Sequence, residues 1–310
     1  MCFHAIIIDH KRVTGKHMTT RVLKAHLQML GFTALLGGSF IASATISNAL
    51  PPMVITWLRY AIASLFFVVL LVSQGLLTLP HYRDLGRYTL ISLPPLLYFA
   101  CMIFSLQTTS AINSSALYTT VPLMSMVMSV VFLNAKSTWP VVAALLLGIL
   151  GALLIIFKGD LSQVLRLSLM PSDYLFLFGC LGMALNPIVV KKLHRGEHAL
   201  VLTGWSLICA TLLLTVIIAY QLPEIEWRNI SVITWSGVLY LATFATALSF
   251  FLFQKACIVL SPTKVSGYVY LIPLSVIVTN MMLGQTINWQ EIASGAILVI
   301  IAMAILVKAK

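Results

Sequence analysis

"TTVPLMSMVMSVVFLNAKSTW" at residues 119–139 and "YLIPLSVIVTNMMLGQTINWQ" at residues 270–290 superpose when the chain is slid along itself by 151 positions. Pro122 then meets Pro273, Ser115 meets Ser266 and Asn134 meets Gln285. Ala144 and Gly151 meet Gly295 and Ala302 with the same spacing of seven. Each stretch is an apolar run with one internal proline and a polar break behind it. The chain is therefore read as a tandem repeat, and the length of the runs says what each unit is made of.

Working outward, ten apolar segments run near 27–47, 53–73, 86–107, 111–133, 138–157, 173–193, 199–219, 231–254, 262–283 and 289–307. Turn and charge signals part them: "NALPP" at 48–52, "KGD" at 158–160, "KKLHRGEH" at 191–198 and "QLPEIEWRN" at 221–229. In lipid only helices and closed barrels satisfy their own backbone. Barrel strands are alternating runs of ~10 residues, which these are not. The expected fold is an all-α polytopic membrane protein with ten transmembrane helices. Five helices per repeat is an odd number, so the second half enters from the side opposite the first. The halves form two inverted five-helix repeats (5+5), a recurrent transporter design with its site near the midplane. The expected divisions are an N-terminal tail over 1–26, a first repeat over 27–157, a linker over 158–172 and a second repeat over 173–310.

Composition agrees. Of 310 residues 60% are apolar and 9% charged, against about 25% charged in a soluble domain. The net charge of +11 does not point to nucleic acid, because the charges sit in short links between apolar runs. With the N-terminus in the cytosol, 15 of the 19 basic residues fall on the inside and only Lys158, Arg166 and Arg228 on the outside. That bias predicts cytosolic termini. The 1–26 segment is too polar for a signal peptide, its only apolar stretch being Ala5 to Ile8. Met18 is an alternative start. The five cysteines, Cys2, Cys101, Cys180, Cys209 and Cys257, lack metal-ligand spacing and read as small packing residues.

These residues carry a family likeness. The chain resembles the EamA-type branch of the drug/metabolite transporter superfamily in its small-residue opening of helix 1 ("LLGGSF", 35–40) and its helix 2 pattern "PPMVITWLR" (51–59). The prolines of helices 4 and 9 ("TVPLMS", "YLIPLSV") and the small residues of helices 5 and 10 ("LLLGILGALL", "ASGAILVIIAMA") also match. The likeness spans about residues 28–307. Gly37-Gly38 stands where the family usually has Trp-Gly, and Asn134 and Gln285 where it often has Glu. The resemblance implies a central cavity lined by helices 1, 3, 4, 6, 8 and 9. It also implies export or exchange of amino acids, related metabolites or amphiphilic drugs across a bacterial inner membrane. Nucleotide-like, cationic or drug-like substrates are the alternative, and a membrane-embedded enzyme is the more remote one.

No helix interior contains Asp or Glu; the eight acids lie in links or at helix ends. Coupling through a buried carboxylate is therefore not expected, with Asp173 and Glu291 as the only challengers. Arg59 is the one base well inside a span, about six residues or ~9 Å from the start of helix 2. It either snorkels to the interface, serves as a counter-charge for an anionic substrate group, or pairs structurally with helix-end carbonyls. Polar residues at helical spacing supply the other substrate-binding candidates. They are Ser39 and Ser43 on helix 1, Tyr98 on helix 3, Tyr118 on helix 4 and Asn186 on helix 6. Tyr240, Thr243 and Phe250 follow on helix 8 and Tyr270 on helix 9. For any single serine, helix–helix contact competes with a substrate role. Pro94, Pro122, Pro187 and Pro273 are expected kinks that free carbonyls. No catalytic residue, cofactor or metal is expected: there is no H-E-x-x-H, no paired Asp in a helix, and only His194 and His198 stand close together. The expected partners are a small-molecule substrate and the lipid bilayer, not nucleic acid, with a homodimer left open.

Overall fold

A computed structural model of the chain describes residues 2–109, 111–160, 162, 169–282, 284, 286 and 288–308, with side chains from Thr20 onward apart from 111–112. Arg166, Gln285 and Lys310 lie outside the described residues. Among the described residues ten helices are long and apolar enough to cross a membrane. They are α1 (Cys2–Ile46, crossing over Thr20–Ile46), α2 (Pro52–Ser73), α3 (Tyr82–Leu106), α4 (Asn113–Leu133), α5 (Trp139–Ile156), α6 (Pro171–Leu193), α7 (Ala199–Ile218), α8 (Val232–Val259), α9 (Pro262–Met282) and α10 (Trp289–Lys308). The segment expected as a tail is helical from Cys2 and continues into α1 without a break.

The ends follow local chemistry. Pro52, Pro140, Pro171 and Pro262 occupy first-turn positions, where a missing N–H costs nothing. Asn134 closes α4 in the left-handed conformation at φ 50°. Two helices are interrupted in matching places. In α4 a turn at Thr119 and Thr120 precedes Pro122, and in α9 a 3₁₀ segment, Tyr268–Leu271, precedes Pro273. Pro122 offers no N–H to the Tyr118 carbonyl four residues earlier, nor Pro273 to that of Val269. The Thr119 and Thr120 hydroxyls donate to the Ala116 and Leu117 carbonyls at 2.6 and 2.7 Å. By contrast, α3 and α6 stay helical through Pro94, Pro95 and Pro187.

Packing joins the two halves throughout. α5 lies on α10, α2 on α7, α3 on α6, α1 on α8, and both α1 on α9 and α6 on α4. Advancing each number by five, around a cycle of ten, returns the same pairs, as an inverted repeat requires. Small residues set the closest approaches. A methyl group on Gly151 would lie 2.8 Å from the Gly295 carbonyl oxygen, and one on Gly295 would lie 2.6 Å from that of Gly151. A methyl group on Gly37 would meet the Ser275 carbonyl carbon at 2.7 Å. One on Gly38 would run into the Tyr240 hydroxyl. The Gly37-Gly38 pair thus lets α1 sit between α9 and α8. Lipid offers no hydrophobic drive for such contacts, so dispersion and interhelical hydrogen bonds hold them. Trp57 Nε1 donates to Thr215 at 2.8 Å, Ser64 bonds Thr211 at 2.7 Å, and Thr203 donates to Gln254 at 2.9 Å.

Candidate functional site

Arg59 does not snorkel. Its side chain is 0% exposed, at the junction of α2, α3 and α8. Nε donates to the Thr246 hydroxyl at 2.9 Å, Nη2 leans toward the Ala245 carbonyl at 3.4 Å, and the guanidinium carbon lies 3.7 Å from the Phe99 ring centroid. Ala245 and Thr246 belong to a π-helical turn of α8, Thr243–Leu248. Widening the turn frees backbone groups and shifts the facing residues, a device common at functional sites. Among the described residues no carboxylate pairs with Arg59, and Nη1 has no hydrogen-bond partner.

Rings surround this cation. Phe250 stacks on Phe99 at 5.7 Å between centroids, and Tyr60 meets both edge-on at 6.2 and 6.1 Å. Tyr98 follows at 4.9 Å from Phe99, Tyr118 at 5.1 Å from Tyr98, and Phe40 at 5.8 Å from Tyr118. The buried hydroxyls of Tyr60, Tyr118, Ser43 and Ser114 and Oδ1 of Asn186 find no partner among the described residues. Buried polar atoms are normally paired, which sets this interior apart from an ordinary helix contact.

Phe40 and Tyr118 also form the floor of a pocket of about 350 Å³ that opens between α1, α4, α5, α9 and α10, at the end opposite the chain termini. Asn280, Asn288, Lys158 and Glu291 line its upper part. A smaller cavity of about 130 Å³ lies at the terminal end between α4, α5, α9 and α10. The 151-residue offset maps one wall onto the other: Met126, Ser129, Ser137, Val141 and Leu306 of the small cavity correspond to Ile277, Asn280, Asn288, Ile292 and Ile155 of the large one. At the terminal end Val121–Leu133 of α4 packs on Pro262–Gly267 of α9.

The sequence-derived candidates separate into two groups. Arg59, Tyr98, Tyr118 and Phe250 gather in the aromatic chamber. The other tyrosines tie helices together: Tyr240 donates to the Leu35 carbonyl at 3.0 Å and Tyr270 to the Leu145 carbonyl at 2.9 Å, its ring filling the space above Gly148. Ser39 bonds back to Leu36 at 2.8 Å and Thr243 to Leu239 at 2.7 Å, the usual behaviour of hydroxyls in apolar helices. Ser43 and Asn186 are buried. Tyr60, Phe99 and Thr246 complete the chamber and were not singled out by spacing. Thr246 sits four residues before Phe250, on the same face of α8, within the π-turn.

Asp173, Asp84 and Glu197 hold helices together. Asp173 is wholly buried at the first turn of α6. Its Oδ2 accepts from the Met170 N–H at 2.9 Å and its Oδ1 from the Thr109 hydroxyl at 2.6 Å, capping α6 and tying it to the chain just after α3. At the terminal end Arg87 donates to the Leu193 carbonyl at 2.7 Å and to Glu197 Oε1 at 2.6 Å, and Asp84 lies 3.3 Å from Arg87 and 3.4 Å from Arg195. Burial pushes the Glu197 carboxyl up, but N–H donors at Glu197 and Arg195 and the Arg87 guanidinium outweigh it, leaving it below the ordinary glutamate value.

Comparison with known proteins completes the picture. The model of the EamA-like transporter family matches twice, over residues 23–157 and 170–308. The chain is 20% identical over 283 residues to "Uncharacterized transporter YyaM" of Bacillus subtilis (strain 168), covering 91% of this chain and 92% of that one. It is 23% identical over 277 residues to "Uncharacterized transporter YetK" of the same organism, covering 88% and 83%. A solved crystal structure shares the fold with TM-score 0.68 at 17% identity, covering 91% of this chain and 96% of its own. Two matches, one per five-helix half, together with the paired packing of those halves, place the chain in the EamA-like transporter family.

Proposed function

We propose that the chain is a secondary carrier of the bacterial inner membrane, an exporter or exchanger of small polar or amphiphilic metabolites, amino acids or their derivatives first among them. The observation that carries this reading is the buried Arg59, unpaired by any described carboxylate and ringed by Phe99, Tyr60, Tyr98 and Phe250 where the two halves meet. An uncompensated charge in the membrane costs several kcal/mol, and a substrate carboxylate on Nη1 offsets that cost. The rings suit the apolar remainder of such a molecule.

The unequal cavities support alternating access. An inverted repeat has two near-equivalent arrangements, and rocking one half against the other exchanges them. The large pocket and its small counterpart read as an open and a closed gate, with the basic terminal end in the cytosol. The closed end is sealed by α4 against α9, and the opposite state would pack the other ends of the same two helices.

Counterflow in proteoliposomes tests the proposal: vesicles preloaded with pooled unlabelled amino acids should take up a labelled one above empty vesicles. Arg59→Gln should abolish uptake, and Arg59→Lys should restore part of it, the cation surviving without the planar fork. Full uptake with Arg59→Gln would refute the carboxylate role. No uptake of any amino acid by the wild type would move the reading to nucleotide-like, cationic or drug-like substrates.

A further inference from the structure

Lys158 and Glu291 line the same pocket, on neighbouring backbone segments at its mouth. Lys158 ends α5 in the left-handed conformation at φ 51°, followed by Gly159 at φ 84°. Its N–H bonds the Ile155 carbonyl at 3.3 Å and that of Gly159 the Leu154 carbonyl at 2.8 Å. Glycine adopts this geometry freely and lysine only at a cost. The turn is seated on α10, since a methyl group on Gly159 would lie 3.1 Å from the Glu291 carbonyl oxygen. The backbones that carry the two charges are therefore held side by side. Yet among the described residues neither forms an ion pair. Glu291 is steadied instead by Asn288, whose Nδ2 donates to Oε1 at 2.9 Å, and nothing described bonds its other oxygen.

The repeat sharpens the point. Glu291 corresponds to Pro140, so the smaller cavity has no acid in that place. Its charged lining is Lys136 and Lys264, the latter already donating to the Val307 carbonyl at 2.9 Å. Of these two cavities, the large one alone combines a positive and a negative group with an apolar wall of Ile155, Ile272 and Ile277.

We infer that the mouth of the large pocket is a second, entry-level binding site for an aliphatic aminocarboxylate. Glu291 takes the substrate ammonium, Lys158 takes the carboxylate, and the aliphatic side chain lies against the isoleucine wall. Phe40 and Tyr118 part this site from the Arg59 chamber. The inference rests on the amino-acid reading above, in its exchanger form, and adds where a molecule arriving from that side is first selected.

The test uses the full-length protein in proteoliposomes with leucine as probe. Glu291→Gln and Lys158→Met should each raise the KM for leucine counterflow roughly tenfold, the loss of one charge-assisted hydrogen bond at a partly solvated rim. Vmax should stay as in the wild type, and the melting temperature should fall only slightly, because the Gln amide oxygen still accepts from Asn288 and the Lys158 side chain is exposed. Leucine counterflow with an unchanged KM in both variants overturns the entry site while leaving the carrier reading intact. Absence of leucine counterflow in a wild type that carries another amino acid overturns this site alone, and absence of counterflow with every amino acid overturns the amino-acid reading and this site together.

Discussion

Replacing Asp173 separates a structural carboxylate from a coupling one. The side chain is 0% exposed and holds two groups, the Met170 N–H at 2.9 Å and the Thr109 hydroxyl at 2.6 Å. Hydrogen bonds to a charged acceptor are worth about 1.5–3 kcal/mol each. Asp173→Ala removes both, a gross loss of about 3–6 kcal/mol on that scale. Both donors are partly buried, so water recovers some of it and about 2–4 kcal/mol remains. Asp173→Asn keeps an oxygen for Thr109 but turns an amide toward an N–H or loses the charge at the cap, for about 1–2 kcal/mol. A chain of this size shifts by about 2–4 °C per kcal/mol, so the melting temperature in detergent should fall in the order wild type, Asn, Ala. Counterflow by the Asn variant should keep its KM and its pH profile. Wild-type stability with Asp173→Asn, or loss of substrate-driven proton flux in a protein that melts normally, would refute the capping argument and make Asp173 a coupling residue.

Three further outcomes follow from the packing. Gly151→Leu should cost about 1–3 kcal/mol or more by overpacking, because even a methyl group would lie 2.8 Å from the Gly295 carbonyl; a melt no lower than wild type would contradict the close contact of α5 and α10. The Glu197 carboxyl sits below its ordinary value of 4.5, so its tie to Arg87 is fully present above that pH and is lost as pH falls through the lower folded value. A Glu197→Gln variant should therefore lose stability near neutral pH and show less further loss on acidification than the wild type, measured as melting temperature against pH. In a background lacking the native cysteines, Asn280→Cys in the open pocket should react with an aqueous maleimide, whereas Ser129→Cys, at a position 1% exposed, should be protected; equal labelling would contradict the asymmetry of the two ends.

The fold was legible because lipid removes alternatives. A run such as 138–157 can only be a helix there, and the offset of 151 residues made the inversion a matter of counting five helices per half. The prolines at 122 and 273 marked the two interrupted helices for the same reason, a missing N–H. The site was legible only in part. Arg59, Tyr98, Tyr118 and Phe250 do converge, since a buried charge and large rings have few places to go. Tyr240, Tyr270, Ser39 and Thr243 spend their hydroxyls on nearby carbonyls, because in an apolar medium any free carbonyl competes with a ligand. Spacing on one helix cannot tell these uses apart.

Sequence alone thus determined the number of spans, their repeat and their inversion, properties set by the solvent and by the length of each run. Only the tertiary structure decided which residues face Arg59, because Phe99 of α3 and Thr246 of α8 reach it from two other helices, and spacing along one helix does not say which helices will be neighbours. It also decided that one cavity is large and its counterpart small. The two halves are built alike but cannot pack alike at both ends at once, and that choice is a property of the assembled bundle.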